Sequence, residues 1–336
     1  MDKQIVFTKV NTAELLDVES RTLGENQVRV KTMFSTISNG TEKANISGNA
    51  NVSLGAAATI FPRYCGYSSA GVVVEKGANV TTVEVGDRVA MYWSLHRTYN
   101  VLDEKNVVKI KSDNVGFDEA SIAHIATFPL AAIRKTKLEI GESAMVMGLG
   151  TLGLLAVGLL RAAGAVPVIA VDPVKERREK ALKFGADYAF DPLDPEFSKK
   201  VRAAAGGGVN VCIEVTGIGE GLNGALDCMA RFGRVALLGC TRDKNFTVDY
   251  YRKVHGPGIS LIGAHTLARP DNESYPGHFT IRDDIKAILK LCASGRLDLK
   301  SLIDEVHSPA DCGEVFTRLV NDKNFPTVVQ FDWERL

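Results

Sequence analysis

Gly148-Leu149-Gly150-Thr151-Leu152-Gly153 sets three glycines at GxGxxG spacing between an apolar run and a helical stretch. In that context the first glycine permits a tight turn, the second lets a pyrophosphate approach the backbone, and the third lets helix and strand pack closely. The helix opening at Thr151 and Leu152 turns free N–H groups and the positive end of its dipole toward the phosphates. Asp172 closes the following strand about 20 residues further on, where a carboxylate accepts both ribose hydroxyls of NAD. It meets the extra phosphate of NADP as a like charge, a repulsion of up to about 4 kcal/mol at contact for an effective dielectric near 20. Arg177 could stack on the adenine or reach a 2′-phosphate, which softens this preference without reversing it. Thr216-Gly217 and Leu238-Gly239 end two later strands, at the carboxyl edge where ligands collect in such sheets. NAD is therefore the expected cofactor, ahead of NADP.

These groups need a parallel sheet beneath them. After about Phe117 the sequence alternates buried strands with helices: SAMVMG, a helix from Thr151 to Ala163, VPVIAVD, a helix through KERREKALKFG, VNVCIEVTG, a further helix and RVALLGC. That alternation predicts an α/β fold with a Rossmann-type, doubly wound parallel sheet. From Gln4 to about Ile110 the pattern differs, with short runs such as QVRVKT, AGVVVEKG, DRVAMY and NVVKI bounded by Gly, Asn and Asp. Strands of this length and spacing predict a β-barrel-like domain. Near the end, the helical stretches RDDIKAILKLCASG and GEVFTRLVND precede the strand-like TVVQFDW, which could return to the first domain.

Composition narrows the partners. Forty basic and forty acidic side chains in 336 residues leave no net charge, so no nucleic-acid partner is expected and a small-molecule substrate is. The opening MDKQIVFTKV has no apolar core followed by a cleavage site, and a cytoplasmic location is expected. Residues 144–160 are almost free of polar groups, but the glycines at 148, 150 and 153 interrupt them, so no membrane partner is expected. Six cysteines (65, 212, 228, 240, 292 and 312) form no CxxC pair, against both a structural zinc and a disulfide framework. Most read as buried thiols.

The segments GYSSAGVVVEKGANVTTVEVGDRVAM, GLGTLG with VDP, and KFGAD together resemble the medium-chain dehydrogenase/reductase superfamily over essentially the whole chain. The resemblance implies a GroES-like β-barrel catalytic domain (1–125 and 277–336), a Rossmann NAD-binding domain (126–276), an active site in the cleft, and a homodimer or homotetramer. Zinc-dependent members carry a Cys in a CGTD-like segment, a His in a GHE segment and a later Cys or acidic ligand. Here Asn39 of ISNGTE stands at the cysteine position, Gly66-Tyr67-Ser68 replaces GHE, and only His124, in ASIAHIA, falls where a third ligand would be. The loop of four structural cysteines after GDRV is replaced by MYWSLHRTYNVL. This combination looks most like the zinc-independent branch that includes bacteriochlorophyllide dehydrogenase-like proteins, and no zinc is expected.

Without a Lewis acid, a side chain must take the proton that an alcohol loses as its hydride leaves. His96 is the first candidate, because it is read at a strand end and imidazole titrates near working pH; the alternative is a packing histidine. Tyr67, at a lost ligand position, is read as a donor to the substrate oxygen. Thr41 matches a hydroxyl that relays protons in zinc relatives, or its hydroxyl caps a helix. His124 shares the pocket or is a buried histidine bonded to backbone. Asn39, with His265 and Arg269 of IGAHTLARP, is read as substrate-binding, and together with His255 these last two would make a polar lining suited to a hydroxylated ligand. The resulting expectation is an NAD-dependent, metal-independent oxidoreductase interconverting a secondary alcohol, such as a sugar or polyol derivative, and its ketone. A zinc-free quinone or enone reductase and a non-catalytic dinucleotide-binding redox sensor are the alternatives.

Overall fold

Alternating burial governs the first part of the chain. In the strand Gln27–Thr36, Val28 and Val30 are buried and Lys31 is exposed, the pattern of a sheet with one face on a core. This strand is the centre of a sheet in the order Glu305–His307, Val329–Asp332, Gln27–Thr36, Ser68–Lys76, Arg88–Tyr92, Val107–Lys109, and Tyr99–Asp103 also pairs with it. A smaller sheet joins Thr12–Val18, Asp2–Lys9 and Arg63–Tyr64. The valines at 28, 30, 73, 80, 83, 89 and 107 form one core with Met91. A second core holds Ile5, Phe7, Phe316, Phe331 and Trp333, with Phe7 edge-on to Phe316 at 4.9 Å. Phe316→Ala would cost about 3–5 kcal/mol there.

The computed structural model describes residues 1–49, 59–241 and 245–336. They fall into two compact units, Met1–Ile125 with Ile285–Leu336, and Ala126–Asp284. The terminal strand does return to the first unit, pairing Gln330 with Thr36 and Phe331 with Ser35. The second crossing lies at 284/285, not at the 276/277 read from the sequence. The reason is Asp284, fully buried in the second unit, where it accepts from Arg134 Nε at 2.8 Å and Arg269 Nη1 at 3.2 Å.

In the second unit six parallel strands run in the order Tyr188–Phe190, Val168–Val171, Ala144–Met147, Val209–Glu214, Met229–Leu237, Ser260–Gly263. Counted along the chain this is 3-2-1-4-5-6, with the reversal between Ala144–Met147 and Val209–Glu214, where dinucleotides bind in such sheets. Every residue of AMVM and of VIAV is buried, as in strands covered on both faces. The apolar run resolves into the strand Ala144–Met147 and the helix Thr151–Ala162, and among the described residues no helix is long and apolar enough to cross a membrane.

Candidate active site

The glycine turn of the second unit has the geometry its spacing implies. Gly148 follows the first strand with φ of +97°, a left-handed conformation that a side chain would strain. A Cβ on Gly153 would lie 1.9 Å from the Gly148 carbonyl oxygen, so the helix can approach the turn only as glycine. Over Gly150 a Cβ would meet nothing within 4 Å, leaving the helix end open at Thr151 and Leu152. Asp172 is buried, and its two oxygens accept from Leu149 N and Val174 N, each at 2.8 Å. A carboxylate offers about four lone-pair sites, so acceptors remain for ribose hydroxyls. Arg177 lies 3.8 Å from Asp172, with its side chain 30% exposed. Its neighbour Arg178, unremarked in the sequence, donates to the carbonyls of Asp172 (2.7 Å) and Pro173 (2.9 Å) and so holds the turn after the strand. These residues fit a dinucleotide.

Beside them, Glu214 ends the strand at the reversal point, and Thr216 and Gly217 donate to its carboxylate. Burial pushes this carboxyl above its ordinary range, against those hydrogen bonds, which lower it. Gly239 packs on the same turn, where a Cβ would come within 2.4 Å of Gly217 N.

The first unit gathers a different set. The helix Asn39–Ile46 starts after Ser38, whose side chain makes no capping bond; Ser38 Oγ instead accepts from the Tyr67 hydroxyl. Glu42, one turn in, accepts from Ser38 N at 3.4 Å. His124 is on the helix Ala123–Lys135 and its Nδ1 donates to the Tyr67 carbonyl at 2.7 Å, the backbone-bonded arrangement. Tyr67 and Trp93 stand nearly perpendicular to its ring, with centroids at 5.3 and 4.7 Å, and Tyr92 lies at 5.6 Å. Trp93 is 41% exposed and takes φ of 58°, a strained conformation for a bulky residue. Asn100 holds its turn by accepting from Leu95 N and donating to Leu95 O.

His96 is placed differently from the expectation that made it the acid/base. It lies in the connection after Arg88–Tyr92 and is 0% exposed, so it cannot meet a substrate in this arrangement. Its Nε2 faces both oxygens of Glu42 at 3.2 Å, and its Nδ1 is 2.8 Å from Ser35 Oγ, which accepts from Trp333 Nε1. We assign the proton to Nε2, with the Ser35 hydroxyl donating to Nδ1, which satisfies the set. Thr41 is exposed inside the first helical turn and caps nothing, because Ser38 occupies the cap. Arg269 is likewise committed elsewhere: besides Asp284 it donates to Thr127 O at 2.9 Å and Thr266 O at 3.0 Å, which anchors its loop instead of presenting a cation to a ligand. His265 is exposed, and its Nδ1 accepts from Leu267 N. His255 is exposed and leans on Tyr250 and Tyr251. Five cysteines are buried and Cys240 is exposed.

The residues at the positions of a catalytic zinc do not fit one. Asn39 Nδ2 donates to the carbonyls of Pro326 (2.8 Å) and Thr327 (3.2 Å), its Oδ1 is buried with no partner among the described residues, and the Tyr67 hydroxyl is bonded to Ser38. Among the described residues no group of three His, Cys, Asp or Glu side chains could hold a metal. Ser38, Glu42 and Glu214 escaped the sequence reading. Ser38 and Glu42 are four residues apart, one more than the capping-box spacing, so no standard helix-start signal marked them.

Residues 24–137 match the alcohol dehydrogenase GroES-like domain and residues 151–277 the zinc-binding dehydrogenase family. The chain is 26% identical to D-guloside 3-dehydrogenase of Escherichia coli (strain K12), over 95% of this chain and 96% of that one. It is 30% identical to L-threonine 3-dehydrogenase of Pyrococcus horikoshii over 60% of this chain and 66% of the relative. The crystal structure of 2R,3R-butanediol dehydrogenase from Bacillus subtilis superposes with a TM-score of 0.81 over 99% of both chains, at 22% identity.

Proposed function

Because the chain belongs to the medium-chain, alcohol dehydrogenase-like superfamily and is an oxidoreductase, we propose that it interconverts a secondary alcohol of a sugar or polyol derivative and its ketone, using NAD and no catalytic metal. The observation that carries the metal-free reading is Asn39 and Tyr67 at two positions where zinc ligands would be needed, the first donating to the Pro326 and Thr327 carbonyls and the second to the Ser38 hydroxyl. The relative that matches nearly the full chain, a guloside dehydrogenase, supports the substrate class. NAD, when bound, supplies the hydride acceptor. In reduction the Tyr67 hydroxyl gives its proton to the carbonyl oxygen as hydride arrives, leaving a phenolate that the Ser38 hydroxyl steadies and solvent reprotonates; oxidation is the reverse and starts from that phenolate. His124 fixes Tyr67 through its backbone carbonyl, and the half-exposed Trp93 offers an apolar face to the carbon skeleton of a sugar. Asp172 supports NAD over NADP through its remaining acceptors and its charge. Glu42 and His96 lie behind this set and hold Ser38 in place.

A panel of glycosides, polyols, ketones and enones, followed by nicotinamide absorbance with both cofactors, tests the proposal. Oxidation of a sugar or polyol with NAD, insensitive to chelators and without stoichiometric zinc, is the expected result. Turnover confined to enones, or about one zinc per chain whose removal abolishes activity, overturns it.

A further inference from the structure

Glu214 sits at the reversal of the parallel sheet, paired in register with Met147, which precedes Gly148, and with Leu237, which precedes Leu238-Gly239. Its main-chain carbonyl accepts from both Leu238 N and Gly239 N at 2.9 Å. Its carboxylate accepts from Thr216 N at 2.8 Å, Gly217 N at 3.2 Å and the Thr216 hydroxyl. One residue thus gathers the two turns that follow the fourth and fifth strands. The methyl of Thr216, held by that carboxylate, lies against Gly148, where a Cβ would meet it at 2.9 Å.

A carboxylate only 3% exposed is costly unless its hydrogen bonds repay the lost hydration. Its donors are main-chain and hydroxyl groups of the turn itself, so what it fixes is the shape of that turn. Doubly wound sheets of this order consist of two mononucleotide-binding halves, and the strand Val209–Glu214 opens the second. We propose that Glu214 is a positioning residue for the nicotinamide mononucleotide half of the cofactor, acting through Thr216 and Gly217; the assignment rests on the reading of this unit as a dinucleotide site.

The test compares NADH with ADP, which lacks the nicotinamide half, by fluorescence and calorimetric titration of the full chain. Glu214→Gln should weaken NADH roughly tenfold and leave ADP within about twofold, because an amide nitrogen turned toward Thr216 or Gly217 sets donor against donor. Thr216→Val keeps the methyl on Gly148 and loses only the hydroxyl, and should weaken NADH by a smaller factor with ADP again unchanged. Thermal unfolding of the unliganded variants identifies a misfolded protein, and Thr216→Val then decides alone. Equal losses for NADH and ADP in folded variants, or NADH affinity within twofold of the parent in both, overturn the proposal. Failure of the unmodified protein to bind NADH or NADPH overturns the dinucleotide reading and the proposal with it.

Discussion

Glu42 and Glu214 are both buried carboxylates, 1% and 3% exposed, one in each unit, and they are satisfied in opposite ways. Apart from the long bond from Ser38 N, Glu42 is answered by the imidazole of His96, 54 residues away, and behind it by Ser35 and Trp333. That chain of contacts ties a helix start, a strand connection and the turn Trp333–Arg335 into one body. Glu214 is answered by the residues that follow it, at positions 216 and 217. A carboxylate satisfied from a distance holds segments together, whereas one satisfied locally shapes a turn. The first should therefore be read out in stability, the second in ligand affinity.

The largest expected effect lies just in front of Glu42. Tyr67→Phe removes the proposed donor and keeps the ring, and kcat should fall roughly 10²- to 10⁴-fold, the range for a lost general acid/base. The folded fraction of His96→Ala should keep far more activity and the same pH–rate profile shape. A profile that loses a limb in His96→Ala alone would return the acid/base role to the histidine.

Next comes Glu42→Ala, which leaves the buried His96 Nε2–H without its acceptor and should cost about 1–3 kcal/mol in denaturant unfolding. Glu214→Gln should change the unliganded protein much less. Similar losses in both would erase the distinction between a tie and a turn. A smaller effect belongs to Asp172→Ser, which should erode the preference for NAD over NADP by roughly tenfold as the like charge is removed. Equal affinities before mutation would mean that Arg177 governs that corner.

The smallest effect is a pH dependence. Burial holds the Glu214 carboxyl above its ordinary value of 4.5, so the folded state takes up its proton more readily than the unfolded chain does. Its contribution to stability is then full below 4.5 and is lost as pH rises through the raised value. The melting temperature of the parent relative to Glu214→Gln should accordingly be highest in acid and decline toward neutrality. An advantage that grows with pH would show the hydrogen bonds outweighing burial.

The second unit was more legible in the sequence than the first, for a physical reason. Its turn is made by neighbours in sequence, so Gly148, Gly153 and Asp172 announce themselves by spacing alone. The cluster around Tyr67 is assembled from residues 35–42, 67, 93–96, 124 and 333, whose proximity depends on strand register. Periodicity cannot show that His96 points into a core of Phe316 and Phe331, or that Arg269 is spent on a carboxylate 15 residues later. The boundary at 284/285 was missed because the same buried Asp284 has no local signature.

The return of Val329–Asp332 to the middle strand also has a bearing on synthesis. Gln330 bonds Thr36 across 294 residues, and Phe331 and Trp333 complete the core around Phe7. A growing chain emerging from a ribosome can close the sheet order of its inserted unit first, while its earliest residues wait for the last ones. A premature stop a few codons before Val329 would therefore act on the opening strands as a core deletion does, and the nascent N-terminal segment is where a holding chaperone would find exposed valines and phenylalanines longest.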